Sequence, residues 1–68
     1  MKTGKVKFYN SNKAFGFIID HETGEEVFLH VTGLKSKGYV PRQDDEVQFE
    51  TKDTKKGINA VNVERAGN

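Results

Sequence analysis

The chain contains no cysteine, no tryptophan and only one proline, and its 68 residues carry a formal net charge of +1. Without cysteine there is neither a disulfide framework nor a thiolate zinc site. The two histidines, His21 and His30, cannot complete a metal shell without carboxylate help. No metal, cofactor or catalytic residue is expected. The near-neutral total argues against an indiscriminate basic binder. Long apolar runs are also missing. The opening MKTGKVKFYN offers no stretch suited to a signal peptide or a membrane span, so the expected setting is the cytoplasm, with no membrane partner. No window of a dozen residues carries a helical apolar stripe. The length allows one small domain, spanning residues 1–68 with its core at about residues 4–65.

What is present points to strands. Short segments rich in β-branched and aromatic residues alternate with turn signals, which predicts an all-β fold. The first strand is expected over Lys5 to Asn10 and the second over Ala14 to Asp20, joined at Asn10-Ser11-Asn12. His21-Glu22-Thr23-Gly24 supplies the next turn, with Gly24 available for a positive φ, and Glu26 to Val31 follows as the third strand. A long polar connection, Leu34 to Asp45, precedes a fourth strand over Glu46 to Thr51 and a fifth over Ile58 to Glu64. Five short antiparallel strands with one long loop suit a small barrel, which removes most exposed sheet edges.

Alternation then sorts the faces. Phe15 and Phe17 share one side of the second strand, Gly16 and Ile18 the other; Phe28 and His30 oppose Val27 and Leu29 on the third. The aliphatic set, Ile18, Val27 and Leu29 with Val6, Val47, Phe49, Val61 and Val63, suffices for a small interior. That sends Phe15, Phe17, Phe28 and His30 outward. The converse, phenylalanines inside and aliphatics outside, stays open from alternation alone. Gly16 weighs against it, since a glycine between two phenylalanines marks a thin inner spot where another backbone passes close. Simple alternation places Phe8 with Val6, inward, unless a bulge re-aims it.

An outward patch of phenylalanines needs a flat apolar partner. Lys5, Lys7 and Lys13 fall in a thirteen-residue opening free of acidic residues, whereas residues 14–34 carry Asp20, Glu22, Glu25 and Glu26 and no lysine or arginine. Rings beside cations fit unpaired nucleic acid, whose bases stack and whose phosphates seek positive charge. Stacking contributes roughly 1–3 kcal/mol per base and tolerates every base.

These residues resemble the cold shock domain family of bacterial cold shock proteins. The likeness rests on Lys13-Ala14-Phe15-Gly16-Phe17-Ile18 and Val27-Phe28-Leu29-His30-Val31, preceded by Gly4-Lys5-Val6-Lys7-Phe8-Tyr9-Asn10 and followed by Gly57-Ile58-Asn59-Ala60-Val61-Asn62-Val63. It covers nearly the whole chain and implies a five-stranded antiparallel OB-fold barrel that binds single-stranded RNA and DNA, pyrimidine-rich strands in particular, as an RNA chaperone and a monomer, a dimer remaining open. It implies that Phe15, Phe17, Phe28 and His30 stack on bases, that Phe8 and Tyr39 extend the platform, and that Lys7 and Lys13 meet phosphates. Asn10 either bonds a base edge or orders the turn.

The sequence departs from the family pattern at several points. Phe8 stands where tryptophan is usual, Tyr9 where phenylalanine is usual and Ala14 where glycine is customary, the last strained if its φ is positive. Val31 replaces a frequent phenylalanine, and Gly38-Tyr39-Val40-Pro41 departs after Tyr39. Neither histidine position suggests catalysis or metal binding. His30 has only phenylalanines on its face and no carboxylate or nucleophile beside it, and Asp20-His21-Glu22 diverge at consecutive turn positions. A second function class remains: a protein-interaction barrel whose aromatic patch docks a polypeptide or a second copy. Salt separates the two, because binding through about three lysines loses affinity with a log–log slope near −2 whereas an apolar contact hardly responds.

Overall fold

The computed structural model describes residues 1–35 and 38–66. Its strands are β1 (Lys2–Asn10), β2 (Phe15–Asp20), β3 (Glu26–His30), β4 (Glu46–Thr54) and β5 (Gly57–Arg65), with one 3-10 turn, Val31–Gly33, after β3. They close into a barrel in the order β1-β2-β3-β5-β4. A ring with an odd number of strands cannot alternate in direction all the way round, so one seam must be parallel. That seam joins β3 to β5, with Phe28 opposite Asn59 and Leu29 opposite Ala60; the other four pairings are antiparallel.

The strands run further than their apolar content suggests. Lys2 and Thr3 extend β1 because they pair with Phe49 and Gln48 of β4, and β4 continues to Thr54 across a two-residue turn at Lys55 and Lys56. Thr54 fixes that turn: its hydroxyl accepts from the Lys56 amide at 3.2 Å and donates to the Gly57 carbonyl at 2.8 Å. Val31, expected to end β3, instead opens the 3-10 turn.

The interior holds the aliphatic set together with Phe49, which settles the sorting that alternation left open. Val6, Ile18, Val27, Leu29, Val47, Phe49, Ala60 and Val63 are buried, each large side chain contributing about 1.5–3 kcal/mol. Val61, expected among them, is only half-buried, and Ala60 takes its place. A bulge explains the exchange. Glu50 faces Val61 and Gln48 faces Glu64, so two residues of β5, Asn62 and Val63, stand against Phe49 alone. Asn62 takes a φ of 53°, a left-handed backbone that asparagine tolerates. Beyond the bulge the alternation is offset by one residue, and Val63 points inward.

Asp20 is a buried carboxylate at the end of β2. It accepts from the Glu22 amide at 2.7 Å and lies 3.5 Å from the Lys2 ammonium. The Glu22 hydrogen bond, aided by the Lys2 charge, holds its pKa below the usual aspartate value against the opposing effect of burial.

Candidate nucleic-acid interface

The site begins with a second bulge. Val6 pairs with Ile18 and Phe8 with Phe17, so Lys7 is an extra residue on β1 and Phe8 rotates onto the outer face. Gly16 permits this. A Cβ there would overlap the Phe8 carbonyl oxygen and lie 2.7 Å from the Tyr9 Cα, so β1 can fold tightly over β2 only because position 16 carries no side chain.

Antiparallel pairing then lines the rings up across three strands, Phe8 opposite Phe17, Phe17 opposite Phe28 and Phe15 opposite His30. Each ring touches the next. Phe8 meets Phe17 at 5.5 Å and Phe15 at 6.4 Å, Phe28 meets Phe17 at 5.7 Å and Phe15 at 5.9 Å, and His30 stacks on Phe28 at 6.4 Å. Phe8 is 39% exposed, His30 is exposed, and the other three rings are half-buried by one another. The assembly is a continuous aromatic surface fixed by the sheet rather than by flexible loops.

His30 is oriented by its neighbour. Its Nδ1 accepts from the Thr32 amide at 3.3 Å and lies 3.0 Å from the Thr32 hydroxyl. With Nδ1 accepting from a backbone N–H, the neutral ring carries its proton on Nε2, where it serves as a donor. Asn10 is committed to the turn: its Oδ1 accepts from the Asn12 amide at 3.0 Å and the Lys13 amide at 3.1 Å, while its carbonyl accepts from the Ala14 amide. Ala14 has a φ of 63°, so the replacement of a customary glycine places a Cβ in left-handed backbone. Its carbonyl accepts from the Val31 amide at 2.9 Å and ties the turn to the end of β3.

The two sequence-predicted lysines differ. Lys7 forms a 2.6 Å ion pair with Glu26, whereas the exposed side chain of Lys13 makes no ion pair among the described residues. Tyr39 stands apart from the rings. It packs half-buried against the core and donates its hydroxyl to Asp45 at 2.9 Å; burial, reinforced by Asp45, pushes its pKa up to about 12. No ring contact joins it to the cluster among the described residues.

Four residues outside the sequence-predicted set join the site. Lys55, Lys56 and Asn59, with Thr54, border an open groove of about 580 Å³ whose other wall is Phe17 and Phe28. Adjacent lysines at a hairpin tip were visible in the sequence, but their position beside Phe28 depends on the parallel β3–β5 seam. No group of metal-ligating side chains occurs among the described residues.

A five-stranded barrel that presents an aromatic sheet face flanked by lysines defines an OB-fold module of the oligonucleotide-binding kind. The comparisons make the assignment narrower. The 'Cold-shock' DNA-binding domain family matches residues 2–66. The chain is 39% identical to the major cold shock protein of Micrococcus luteus over 93% of its own length and 96% of that protein's. It is 44% identical to the cold shock-like protein CspD of Bacillus cereus, with the same coverage of each chain. Among solved structures, the drosophila Unr CSD456 chain superposes with a TM-score of 0.78 at 20% identity, over 94% of this chain and 26% of that one, a likeness of fold. The chain belongs to the cold shock domain family; it is a nucleic-acid-binding protein with an exposed aromatic cluster, not an enzyme.

Proposed function

We propose that the protein binds single-stranded RNA and DNA across the β1–β2–β3 face and acts as an RNA chaperone that keeps strands unpaired. The observation that carries this reading is the unbroken chain of ring contacts from Phe8 through Phe15, Phe17 and Phe28 to His30. Successive unpaired bases stack on such a surface, each contributing roughly 1–3 kcal/mol, while a duplex keeps its bases occupied with one another. Pyrimidine-rich strands suit it best, because their own stacking is the weakest to give up. Lys13 meets phosphate directly. Lys7 does so after exchanging Glu26 for phosphate, and Asn10 serves chiefly by shaping the turn that holds Lys13. Tyr39, set apart from the rings, offers a separate contact to a strand that runs on past them rather than a continuation of the surface.

Binding the open strand and not the duplex lowers the free energy of the open state, and modest affinity allows release without an energy source. Such a role belongs in the cytoplasm and needs only the monomer. The test is fluorescence anisotropy of a labelled pyrimidine-rich single strand against the same sequence as duplex, at two salt concentrations. The label sits on the oligonucleotide because the protein has no tryptophan. Single-strand binding with a log–log salt slope near −2 is expected for about three phosphate contacts. Salt-independent binding, or equal affinity for duplex, contradicts the reading.

A further inference from the structure

Arg42 and Arg65, the chain's two arginines, lie 23 residues apart in sequence. Both line one groove of about 390 Å³, together with Gly38, Tyr39, Val40 and Asp45. Arginine's planar fork of donors suits phosphate oxygens better than a lysine point charge does. Both side chains belong to exposed residues, and neither forms an ion pair among the described residues.

The groove's carboxylate is already engaged. Asp45 Oδ2 accepts from the Tyr39 hydroxyl at 2.9 Å and from the Arg42 amide at 3.1 Å, so it braces the wall, and it forms no ion pair with either guanidinium group among the described residues. The wall is anchored at both ends. The Asp44 amide donates to the Val6 carbonyl at 2.8 Å and the Val6 amide to the Asp45 carbonyl at 2.9 Å; at the other end Arg65 pairs with Val47, and the Ala66 amide donates to the Glu46 carbonyl at 2.9 Å. The Arg65 charge reaches the Tyr39 hydroxyl, where it opposes the effect of burial on that group. Val6 is two residues before Phe8, so the groove wall is hydrogen-bonded to the strand that bears the ring at the margin of the aromatic face.

We infer that Arg42 and Arg65 form a phosphate-binding groove that holds the backbone of a nucleic-acid strand where it leaves the aromatic face at Phe8 and passes Tyr39. This rests on single-strand binding at that face and adds a second, purely electrostatic contact to it. A strand confined to the rings does not reach the groove; a longer one does.

The experiment compares wild type with the double variant Arg42→Gln/Arg65→Gln on two labelled oligothymidines, one of about four nucleotides and one of about ten, lengths within the range of about 4–16 that one OB-fold covers. Circular dichroism confirms that the exposed substitutions leave the fold intact. The short strand is expected to bind both proteins alike. The long strand is expected to bind the variant about three- to tenfold more weakly, with a salt slope shallower by about 1.4, that is, two phosphates at roughly 0.7 each. Unchanged affinity and slope on the long strand overturn the inference. So does an equal loss on both lengths, which marks a general effect of net charge. Wild type binding neither strand is a distinct result, because it refutes single-strand binding itself.

Discussion

The two faces of β2 are made from one six-residue segment and do opposite work. Inward, Gly16, Ile18 and Asp20 are buried; outward, Phe15, Phe17 and Ile19 stay half in water. The larger apolar side chains are on the outside. An economical core of valines with single isoleucine, leucine and phenylalanine residues suffices to close the barrel, and that frees the aromatic rings for a partner. Stability and binding are therefore separable along a single strand, and substitutions that alternate down it should alternate in effect.

The largest effect should come from the inner face. Ile18→Ala removes a fully buried side chain from a close-packed interior and is expected to lower unfolding free energy by about 2–5 kcal/mol in urea titrations. The fraction that remains folded should bind oligonucleotide as wild type does. Loss of affinity with stability intact would show that the two faces have been confused.

A smaller gain is expected at the turn that precedes β2. Ala14 holds a φ of 63°, a conformation that costs an L-residue about 1–2 kcal/mol relative to glycine. Ala14→Gly should raise the thermal midpoint by several degrees, with little change in affinity, since the ring positions depend on strand pairing. The smallest effect should fall on Glu26, which belongs to the outer face but opposes binding by occupying Lys7 at 2.6 Å. Glu26→Gln should cost less than about 1 kcal/mol of stability, as exposed ion pairs do. It should also tighten oligonucleotide binding a few-fold, because Lys7 no longer has to give up Glu26 before it meets phosphate, with the salt slope little changed since the number of phosphate contacts is the same.

Most of the outer face could be read from the sequence, because period-two alternation over β2 and β3 leaves only two ways to sort Phe15, Phe17, Phe28 and His30, and Gly16 favours one. Phe8 was legible only as a conditional, since alternation put it inside and a bulge put it out; the extra residue at Lys7 selects the second. Val61 carried no such warning. The bulge that turns it aside depends on Asn62 entering left-handed backbone, a conformation that asparagine tolerates but does not announce. The polar start of β1 at Lys2 and Thr3 has no periodic signature and becomes strand only because β4 lies beside it.

Long-range closure was the least legible. That Lys55, Lys56 and Asn59 border the ring surface follows from the parallel seam between Phe28 and Asn59, 31 residues apart, and nothing local encodes it. The same holds for Arg42 and Arg65, which share a groove only once the loop before β4 folds over the end of β5.

The most direct test of the separation between faces is Phe28→Ala, measured in parallel by oligonucleotide anisotropy and by urea unfolding. Phe28 contacts Phe15, Phe17 and His30 and so stands at the centre of the ring surface. Affinity for the single strand should fall by about 1–3 kcal/mol, the loss of one stacked base, while unfolding free energy changes by about 1 kcal/mol or less. Full affinity retained alongside a loss of several kcal/mol in stability would mean that the ring belongs to the core and that the inner and outer faces are inverted.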